Sequence, residues 1–390
     1  MSKTLQDYAT LINDTIQSNE INHYITTDNM CKNLGGIDTF KNINIPQGKV
    51  RSFQKDDVLL SNIRLYFRKV YRAKQKGGCS SDVLVFRAKH IDSATLFAIL
   101  SSQIFTDYAC SGSQGSKMPR GNKTHMMDFK IPTINFTIAK IFNSIQNKIE
   151  NNHKINELLH KILELLYEQY FVRFDFLDEN NKPYQTSGGK MKFSKELNRL
   201  IPNDFEVKTL GELITWISGS QPPKSCHIYE HKEGYIRFIQ NRDYSSNDYI
   251  TYIPISKNNK ICYQYDIMID KYGEAGAVRF GLQGAYNVAL SKISVLNQSM
   301  QEYIRSYLNS KPIKKYLSNA CMASTRSSLN ENHIYSLMLP IPPINLLQKY
   351  EKIAKNIITA IIKNMQSTQT LTVLRDFLLP LLLTQQVKPQ

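Results

Sequence analysis

The chain has 390 residues, of which 42% are hydrophobic and 10% aromatic, so it is too apolar to be disordered and long enough for two domains with separate cores. Forty-nine Lys and Arg against 33 Asp and Glu leave a net charge of +16, which points to a polyanionic partner: nucleic acid first, an anionic membrane second. No apolar run could span a bilayer, the first residues lack the apolar core of a signal peptide, and the six cysteines form no CxxC pair, so we expect a cytoplasmic protein without structural zinc or disulfides.

The sequence pattern of the first third of the chain predicts a mixed α+β domain over residues 1–135. Gly and Pro divide it into short segments, and Asp57–Ser61 and Asp82–Arg87 are strand candidates. From Ile138 to about Phe171 there is no Pro or Gly, and apolar residues recur every three or four positions. This pattern predicts one long helix within residues 136–178.

The second half of the chain has the same order of segments. Residues 179–205 are rich in Asn, Lys and Gly and are predicted to be a linker, and residues 206–345 form a second mixed domain. The strand candidates in this domain are Tyr235–Ile239, Asp266–Ile269 and Val288–Val295. After Pro343 apolar residues repeat in heptads, which predicts a second long helix over residues 346–390.

Matching motifs show that the two halves are repeats. The motif Ile131–Asn135 (IPTIN) returns as Ile341–Asn345 (IPPIN), 210 positions later, and Asp57–Leu60 is matched by Asp266–Ile269 at an offset of 209. A period this large indicates duplicated modules and not a solenoid. The predicted fold class is therefore α+β: two tandem α/β domains separated by two long, antiparallel, coiled-coil-like helices in a pseudo-two-fold repeat.

The two long helices share a seam that is apolar at its ends and polar in its middle. Laid antiparallel, they would place Lys148 and Asn152 near Asn364 and Ser367, where polar residues cost stability but fix the register. The alternative is that each helix packs only on its own domain. The predicted seam consists of Ile141, Ile145, Lys148, Asn152, Ile155 and Leu159 in the first helix and Ile357, Asn364, Ser367, Leu371, Leu374 and Leu378 in the second.

Clustered cations are the candidate nucleic-acid contacts. The first module has a cluster without acids, interleaved with aromatic residues, that consists of Arg64, Arg68, Lys69, Arg72 and Lys74. Such residues neutralise phosphates, and Arg can bind guanine edges in a fork, although a solvated basic face is the alternative. Sparser candidates in the second module are Arg237, Arg242, Lys271 and Arg279.

A polar loop precedes each proline motif. Residues 111–122 contain Lys117 and Arg120, and residues 323–330 contain Arg326, in each case among Ser and Asn residues. Hydroxyl, amide and cationic side chains together are typical of phosphate positioning. Either loop could equally be a surface connector that caps the next helix.

The sequence supports neither a catalytic nor a metal site. The string His227–His231 has the form HxxEH, but it follows Pro222–Pro223 and runs into a predicted strand, whereas metal binding would require a helix. A stand-alone nuclease with Asp57, Asp82 and Asp266 as metal ligands is the alternative from a different class, although Asp57 and Asp266 are repeat equivalents that begin strands. An adhesin-like structural protein fits the basic charge poorly.

In both halves the motifs resemble those of the specificity (S) subunit of type I restriction-modification systems. In the second half these are Thr209–Leu213 with Ile217–Ser220, Tyr235–Phe238, Asp266–Ile269 and Leu339–Pro343. In the first half Tyr24–Met30, Gly78–Asp82 and Lys117–Gly121 are similar to another subtype of the module, which opens here at Leu5–Tyr8. Ile141–Phe176 and Leu378–Leu383 are similar to the central and C-terminal conserved regions of the family.

The resemblance implies a non-catalytic subunit with two target recognition domains, each of which reads one half of a bipartite sequence in double-stranded DNA. The antiparallel helices would set the spacer, two methyltransferase (M) subunits would dock on them, and restriction (R) subunits would join through the M subunits. S-adenosylmethionine, ATP and Mg²⁺ would bind to those partner subunits and not to this chain. A close alternative is the recognition subunit of a related system in which one partner chain carries both methyltransferase and nuclease.

Overall fold

The chain folds into two compact units that share both long helices. The computed structural model describes residues 3–39, 41–131, 134–245, 249–322 and 328–383. The first unit comprises residues 1–154 and 366–390, and the second comprises residues 155–365. The helices are α1 (Leu5–Tyr8), α2 (Ser93–Ser101), α3 (Gln103–Ser111), α4 (Lys123–Met127), α5 (Phe136–Tyr167), α6 (Gln301–Asn309), α7 (Lys311–Met322), α8 (Glu331–Tyr335) and α9 (Ile344–Leu381).

Two four-stranded sheets form the first unit. Its strands are β1 (Ala9–Ile12), β2 (Thr15–Gln17), β3 (Tyr24–Ile25), β4 (Lys49–Phe53), β5 (Val58–Ser61), β6 (Val70–Arg72), β7 (Gly77–Cys79) and β8 (Val83–Ala88). One sheet has the order β1-β8-β5-β6 and is antiparallel, and the other has the order β2-β4-β7-β3 with β3 parallel to β7. Val58, Leu60 and Phe86 pack with α2, α3 and the first turns of α5 in the core of the unit.

The second unit repeats this topology. Its strands are β9 (Met191–Ser194), β10 (Arg199–Pro202), β11 (Glu206–Thr209), β12 (Ile214–Ser218), β13 (Tyr235–Ile239), β14 (Tyr252–Pro254), β15 (Ile261–Cys262), β16 (Ile267–Asp270), β17 (Val278–Arg279), β18 (Gly284–Tyr286), β19 (Leu290–Val295) and β20 (Met338–Ile341). The order β12-β19-β16-β17 matches β1-β8-β5-β6, and β15-β18-β13 matches β4-β7-β3, again with one parallel pair. The predicted duplication of an α+β module is confirmed.

The module openings are alike even where their sequences differ. Thr4 and Asp7 form a capping box at α1, and Thr209 and Glu212 form one at the 3-10 turn Leu210–Glu212. In each box the acid accepts the backbone N–H of the threonine at 2.7 Å. Hydrogen bonds to backbone N–H groups hold the pKa of Asp7 and that of Glu212 below their ordinary values.

In the first unit α5 and α9 run antiparallel. Asn152 donates to Ser367 at 3.3 Å and to Thr368 at 3.2 Å, and Gln146 lies against Arg375 at 3.2 Å. Asn152 is 1% exposed, so the polar layer is buried. Lys148, predicted to share this layer, lies on the exposed side of α5.

In the second unit the same two helices are again antiparallel. Asn364 donates to Asn156 at 2.9 Å, and Asn156 donates to the carbonyl of Ile361 at 3.3 Å. Leu159 and Ile357 pack in the adjoining apolar cluster with Ile358, Ile361 and Ile362. At the far end the Tyr350 ring lies 4.8 Å from that of Phe171, just beyond α5 in the π-helical turn Glu168–Val172.

The seam deviates from a strict heptad pattern. Ile145 and Leu378 pack inward, and Leu371 is half-buried, whereas Ile141, Ile155 and Leu374 are each more than 40% exposed. At these three positions the predicted seam is wrong. A helix of 3.6 residues per turn drifts against a heptad repeat, so the buried stripe shifts to neighbours such as Phe142 and Ile149.

The segment predicted to be a linker, residues 179–205, contains regular structure. Strands β9 and β10 pair as a hairpin, and Ile201 and Phe205 are buried in the core of the second unit. Among the described residues no helix combines the length and apolarity that crossing a lipid bilayer requires.

Candidate nucleic-acid interface

Three loops meet on one side of the first unit and form what we term the first loop surface: residues 26–34 after β3, residues 62–69 between β5 and β6, and residues 112–121 after α3. Backbone hydrogen bonds join them. Asn33 N–H donates to the Phe67 carbonyl at 2.9 Å, and Arg64 N–H donates to the Pro119 carbonyl at 2.9 Å. The surface therefore has a defined backbone and does not depend on side-chain contacts alone.

The first loop surface presents cations beside aromatic rings. The Lys32 ammonium lies 3.9 Å from the centroid of the Phe67 ring, and the Arg64 guanidinium lies 6.0 Å from it. Tyr66 is 53% exposed, and its ring contacts Phe67 edge-on. Aromatic faces hold cations in place without neutralising them, so their charge is available to an anion.

The second unit builds the equivalent surface from the same loops. The second loop surface consists of the described residues 240–245 and 249 after β13, residues 271–277 between β16 and β17, and residues 328–330 before α8. Asn241 Nδ2 donates to the Tyr272 carbonyl at 3.1 Å and ties the first two loops together. The Arg242 guanidinium lies 5.7 Å from the Tyr249 ring, and the Lys271 ammonium lies 6.0 Å from the Tyr272 ring.

Matching backbone hydrogen bonds demonstrate that the two surfaces are equivalent. Gly121 N–H donates to the Asn62 carbonyl at 3.1 Å, and Leu329 N–H donates to the Lys271 carbonyl at 3.0 Å. Asn62 N–H in turn donates to the backbone carbonyl of Asp82, and Lys271 N–H donates to the backbone carbonyl of Ala289. Each residue of the second unit lies 207 to 209 positions after its counterpart, so the loops are held in the same way in both units.

Most of the predicted cation cluster of the first unit binds groups of the protein itself. Arg68 donates to the Ser101 carbonyl at 2.9 Å, and Lys69 donates to the Thr27 carbonyl. Burial lowers the pKa of both side chains. Arg72 lies 3.8 Å from Asp56, and Lys74 lies 3.3 Å from Glu150.

The remaining predicted cations of the first unit belong to the loop surface. Arg64 Nη2 lies 3.4 Å from the Lys117 carbonyl, which brings the two residues together. Arg120 pairs with Asp82 at 2.9 Å, with 63% of the arginine side chain exposed. Arg68 and Lys69 also lie in the 62–69 loop, but their side chains bind the Ser101 and Thr27 carbonyls. Arg64, Lys117 and Arg120 are therefore the predicted cations that we assign to this surface as candidate contacts.

In the second unit the predicted cations divide in the same way. Arg242 has 53% of its side chain exposed, and it lies with Lys271 on the second loop surface. Arg279 instead pairs with buried Asp270 at 2.9 Å and with Glu274 at 2.6 Å. Arg237 lies in β13 opposite Tyr252, and Arg326 falls outside the described residues.

Sequence reasoning missed the aromatic partners and one cation. Lys32, Tyr249 and Tyr272 were not predicted. Lys32 meets Phe67 only when two separate loops fold together, whereas Tyr249 and Tyr272 meet Arg242 and Lys271 within one loop. Lys32 and Phe67 are 35 positions apart, with no shared motif. The one available signal was the exposed Tyr next to Lys in Lys271–Tyr272.

The aspartates of the nuclease alternative have structural roles. Asp57 accepts two hydrogen bonds from Arg87, at 2.8 and 2.9 Å, and one from Gln54 N–H at 2.8 Å. Asp266, its repeat equivalent, accepts from Tyr263 N–H at 2.9 Å and pairs with Lys292 at 3.3 Å. Over the part of the chain that the structure describes, no group of three His, Cys, Asp or Glu side chains is arranged to hold a metal ion.

The HxxEH string does not lie in a helix. His227 ends a 3-10 turn, Ile228 forms a bridge to Tyr252, and the following residues lead into β13. The His227 ring packs on Phe238 and the His231 ring on Tyr252. The two imidazoles therefore lack the helical spacing that a shared metal would need.

Comparisons with known proteins agree with the resemblance. Residues 202–372 match the family model "Type I restriction modification DNA specificity domain". The chain is 24% identical over 297 residues to the type I restriction enzyme MjaIX specificity subunit of Methanocaldococcus jannaschii, an alignment that covers 73% of this chain and 67% of that subunit. The MjaVIII specificity subunit of the same organism is 23% identical over 163 residues, which are 41% of this chain and 37% of that one.

A solved structure has the same fold. The crystal structure of the type I restriction-modification S subunit from M. genitalium matches with a TM-score of 0.63 at 15% identity, over 98% of this chain and 96% of that chain. The fold, the repeated loop surfaces and the matching relatives lead to one conclusion. Residues 202–372 match the type I restriction-modification DNA specificity domain, and the chain as a whole is similar in sequence and in fold to type I restriction-modification specificity subunits.

Proposed function

We propose that each unit reads one half of a two-part DNA sequence through its loop surface, and that the chain directs M and R subunits to that sequence without catalysing a reaction itself. The observation that carries the proposal is the equivalence of the two surfaces, since the same three loops present cations and aromatic rings in both units. Cations supply affinity for phosphates, and forked contacts from Arg to bases supply sequence preference.

The proposal is tested by a substitution in each surface. The recognised sequence is first found by mapping methylated adenines in cells with and without the gene. Binding of the chain, copurified with its partner subunits, is then measured on that duplex and on duplexes altered in one half only. We expect Arg64→Gln to lose discrimination against the duplex altered in one half of the sequence, and Arg242→Gln to lose discrimination against the duplex altered in the other half. A base contact contributes ~1–3 kcal/mol of such discrimination.

Lys192→Gln is the matched control, because Lys192 is an exposed cation on the β9–β10 hairpin outside both surfaces. Binding should also weaken steeply between about 50 and 200 mM salt, since phosphate contacts release counterions. If Arg64→Gln and Arg242→Gln bind both altered duplexes as the control does, the loop surfaces are not the reading surfaces.

Exposed apolar stripes support the docking of M subunits on the long helices. In the second unit Ile155, Leu158, Ile162 and Leu165 follow one another at steps of three and four on α5, and each is more than 40% exposed. In the first unit Val373, Leu374 and Phe377 form an exposed patch on α9. Apolar patches of this kind mark protein interaction sites, so we propose one M subunit for each stripe, two in all.

Docking is tested by making one stripe polar. The double substitution Leu158→Gln and Ile162→Gln should reduce the amount of M subunit that copurifies by about half, because only one of two sites is removed. Lys154→Gln with Lys161→Gln is the control on exposed positions of the same helix. An unchanged ratio of M subunit to this chain would refute the assignment of the stripe. The mass of the copurifying chain also distinguishes separate M and R subunits from a single fused partner.

A further inference from the structure

A strained turn supports the first loop surface. Asn33 and Leu34 both have positive φ angles, 52° and 60°, and their N–H groups donate to the carbonyls of Phe67 and Arg68. Arg64 and Arg68, at the two ends of the segment that the turn contacts, have φ angles of 51° and 48°. Among the described residues nine other than Gly have positive φ, and four of them lie here.

Such backbone conformations are strained and persist only where the surroundings enforce them. Leu34 illustrates the constraint, because a leucine with this φ has no local hydrogen bond of its own side chain to compensate. Its side chain is fully buried in the core of the first unit. The turn is therefore held in place by contacts from elsewhere in the unit.

Those contacts come from the two long helices. Arg375 of α9 donates to the Asn33 carbonyl at 3.2 Å, and Gln146 of α5 donates to the Leu34 carbonyl. Arg375 also donates to Gln146 Oε1 at 3.2 Å, so the two side chains support each other. With its N–H groups bound to the 64–68 segment and its carbonyls bound to the helices, the turn connects the helices to the loop surface.

Arg375 is a charged residue in a buried position. It is only 2% exposed, and its ion-pair partner Asp376, at 3.0 Å, has 45% of its side chain exposed. Burying a guanidinium is costly unless hydrogen bonds replace its water, and here two of the replacements are a carbonyl of the turn and the side chain of Gln146.

The second unit shows that the fold itself does not require this network. At the offset of 208 that relates α2 to α6 and the start of α5 to the start of α9, the counterparts of Arg375 and Gln146 are Tyr167 and Ala354. Both counterparts lie in the apolar core of the second unit. At these two positions the second unit thus has apolar packing in place of a buried charge.

We infer that Arg375 and Gln146 are positioning residues that fix the Asn33–Leu34 turn and, through it, the 64–68 segment with which the first unit reads DNA. The inference rests on the proposed function of the loop surface. It makes the helices determinants of sequence preference in one half of the target only, because the described residues at the two equivalent positions of the second unit form no such network.

The test uses the chain copurified with its partner subunits and three fluorescent duplexes: the recognised two-part sequence, the same sequence altered in the half assigned to the first unit by Arg64→Gln, and the same sequence altered in the other half. Arg375→Met and Gln146→Leu keep side-chain volume and remove the hydrogen bonds. Asn156→Leu is the control, since Asn156 is a seam residue of the second unit whose hydrogen bonds, among the described residues, are to the facing helix.

We expect Arg375→Met to reduce discrimination against alteration of the first-unit half at least fivefold and to leave discrimination in the other half unchanged. Gln146→Leu should act in the same direction, and it decides the question if Arg375→Met does not assemble, because it keeps Arg375 and its ion pair. A merely structural role would lower the melting temperature and leave both discrimination ratios as in the control. That result, or equal losses in both halves, would overturn the inference. Absence of any preference in the unsubstituted complex would instead contradict the proposed function.

Discussion

Arg279, in strand β17, and Arg242, in the loop after β13, both qualify by sequence as phosphate ligands, but their surroundings differ. Arg279 binds Asp270, which is 1% exposed and whose pKa is raised by burial. Arg242 lies over the exposed Tyr249 ring, and its nearest acid, Asp243, is 3.9 Å away. The first arginine therefore neutralises a buried acid, whereas the second has charge available for a ligand.

This difference predicts opposite results for two matched substitutions. Arg279→Met should reduce the free energy of unfolding by about 3–5 kcal/mol, because it leaves the Asp270 carboxylate buried without its cation. Arg242→Met should change it by less than about 0.5 kcal/mol, as is usual for an exposed side chain. Urea denaturation measures both values. If Arg279→Met is as stable as Arg242→Met, the assignment of Arg279 to a structural ion pair is wrong.

Glu351 introduces a pH dependence at the residue scale. It accepts the Glu302 N–H at 2.9 Å at the start of α6, and burial raises the pKa of its carboxyl group to about 7. Glu302 and Arg305 form a buried ion pair beside it, and Lys355 lies one turn along α9. A carboxyl pKa that is higher in the folded than in the unfolded state means that the folded chain binds more protons between about pH 4.5 and 7. The contribution of this group to stability is therefore present at low pH and is lost as the pH rises through that range.

Glu351→Gln should remove this dependence. At pH 5 the neutral amide replaces a neutral acid, so the variant and the parent chain should melt at similar temperatures, whereas at pH 8 the variant should melt higher. Glu233→Gln, at an exposed turn position, is the control that corrects for general charge effects. Melting curves with the same difference at both pH values would contradict the raised pKa.

Elements with a strong local pattern were predictable. Asp57–Ser61 and Asp266–Ile269 are observed as β5 and β16, and the two helices without internal Gly begin within two residues of their predicted starts. In the second sheet of each unit only Tyr235–Ile239 was predicted as a strand, because strands such as Gly77–Cys79 and Ile261–Cys262 are too short to show alternation. Their formation depends on partners far away in the chain, and a local sequence window does not contain that information.

The candidate site was predictable only in part, for a related reason. Sequence analysis placed Arg64, Lys117, Arg120, Arg242 and Lys271 among the contacts, and the structure collects these residues on the loop surfaces. Arg68, Lys69, Arg72 and Lys74 look the same in sequence but bind carbonyls and acids of remote segments. Only the tertiary contacts separate a cation that holds the loop in place from one that faces a ligand.

The polar layer of the helix pair leads to a prediction about elements. Asn152 donates to Ser367 and Thr368, but among the described residues its Oδ1 is buried without a hydrogen-bond partner. Asn152→Leu should therefore change the free energy of unfolding by no more than about 1 kcal/mol, in the stabilising direction, since Ser and Thr can bond their own helix. Phe142→Ala, a core truncation on the same helix, should cost about 3–5 kcal/mol. A loss above 2 kcal/mol for Asn152→Leu would show that the layer stabilises the pair and does more than set its register.

At the scale of the whole molecule the repeat has the greatest predictive value. Two motifs 209 and 210 positions apart are enough to predict two modules, and the structure matches strand order, capping boxes and loop bonds between them. The proposal that each unit reads DNA through its own loop surface predicts that exchange of residues 206–340 for another module changes one half of the recognised sequence and preserves the other.

The sequence further predicts that the two long helices set the gap between the two halves of the target, which makes helix length a measurable parameter. One heptad inserted after residue 154 in α5 and one after residue 365 in α9, where each helix passes from one unit to the other, adds about 10 Å at 1.5 Å per residue. At 3.4 Å per base pair, the gap between half-sites should lengthen by about three base pairs, as read from methylated sites in cells that carry the variant. Insertion into α5 alone is the control, since it puts the seam out of register and should abolish methylation. Retention of the original gap with both insertions would mean that something other than these helices sets the spacing.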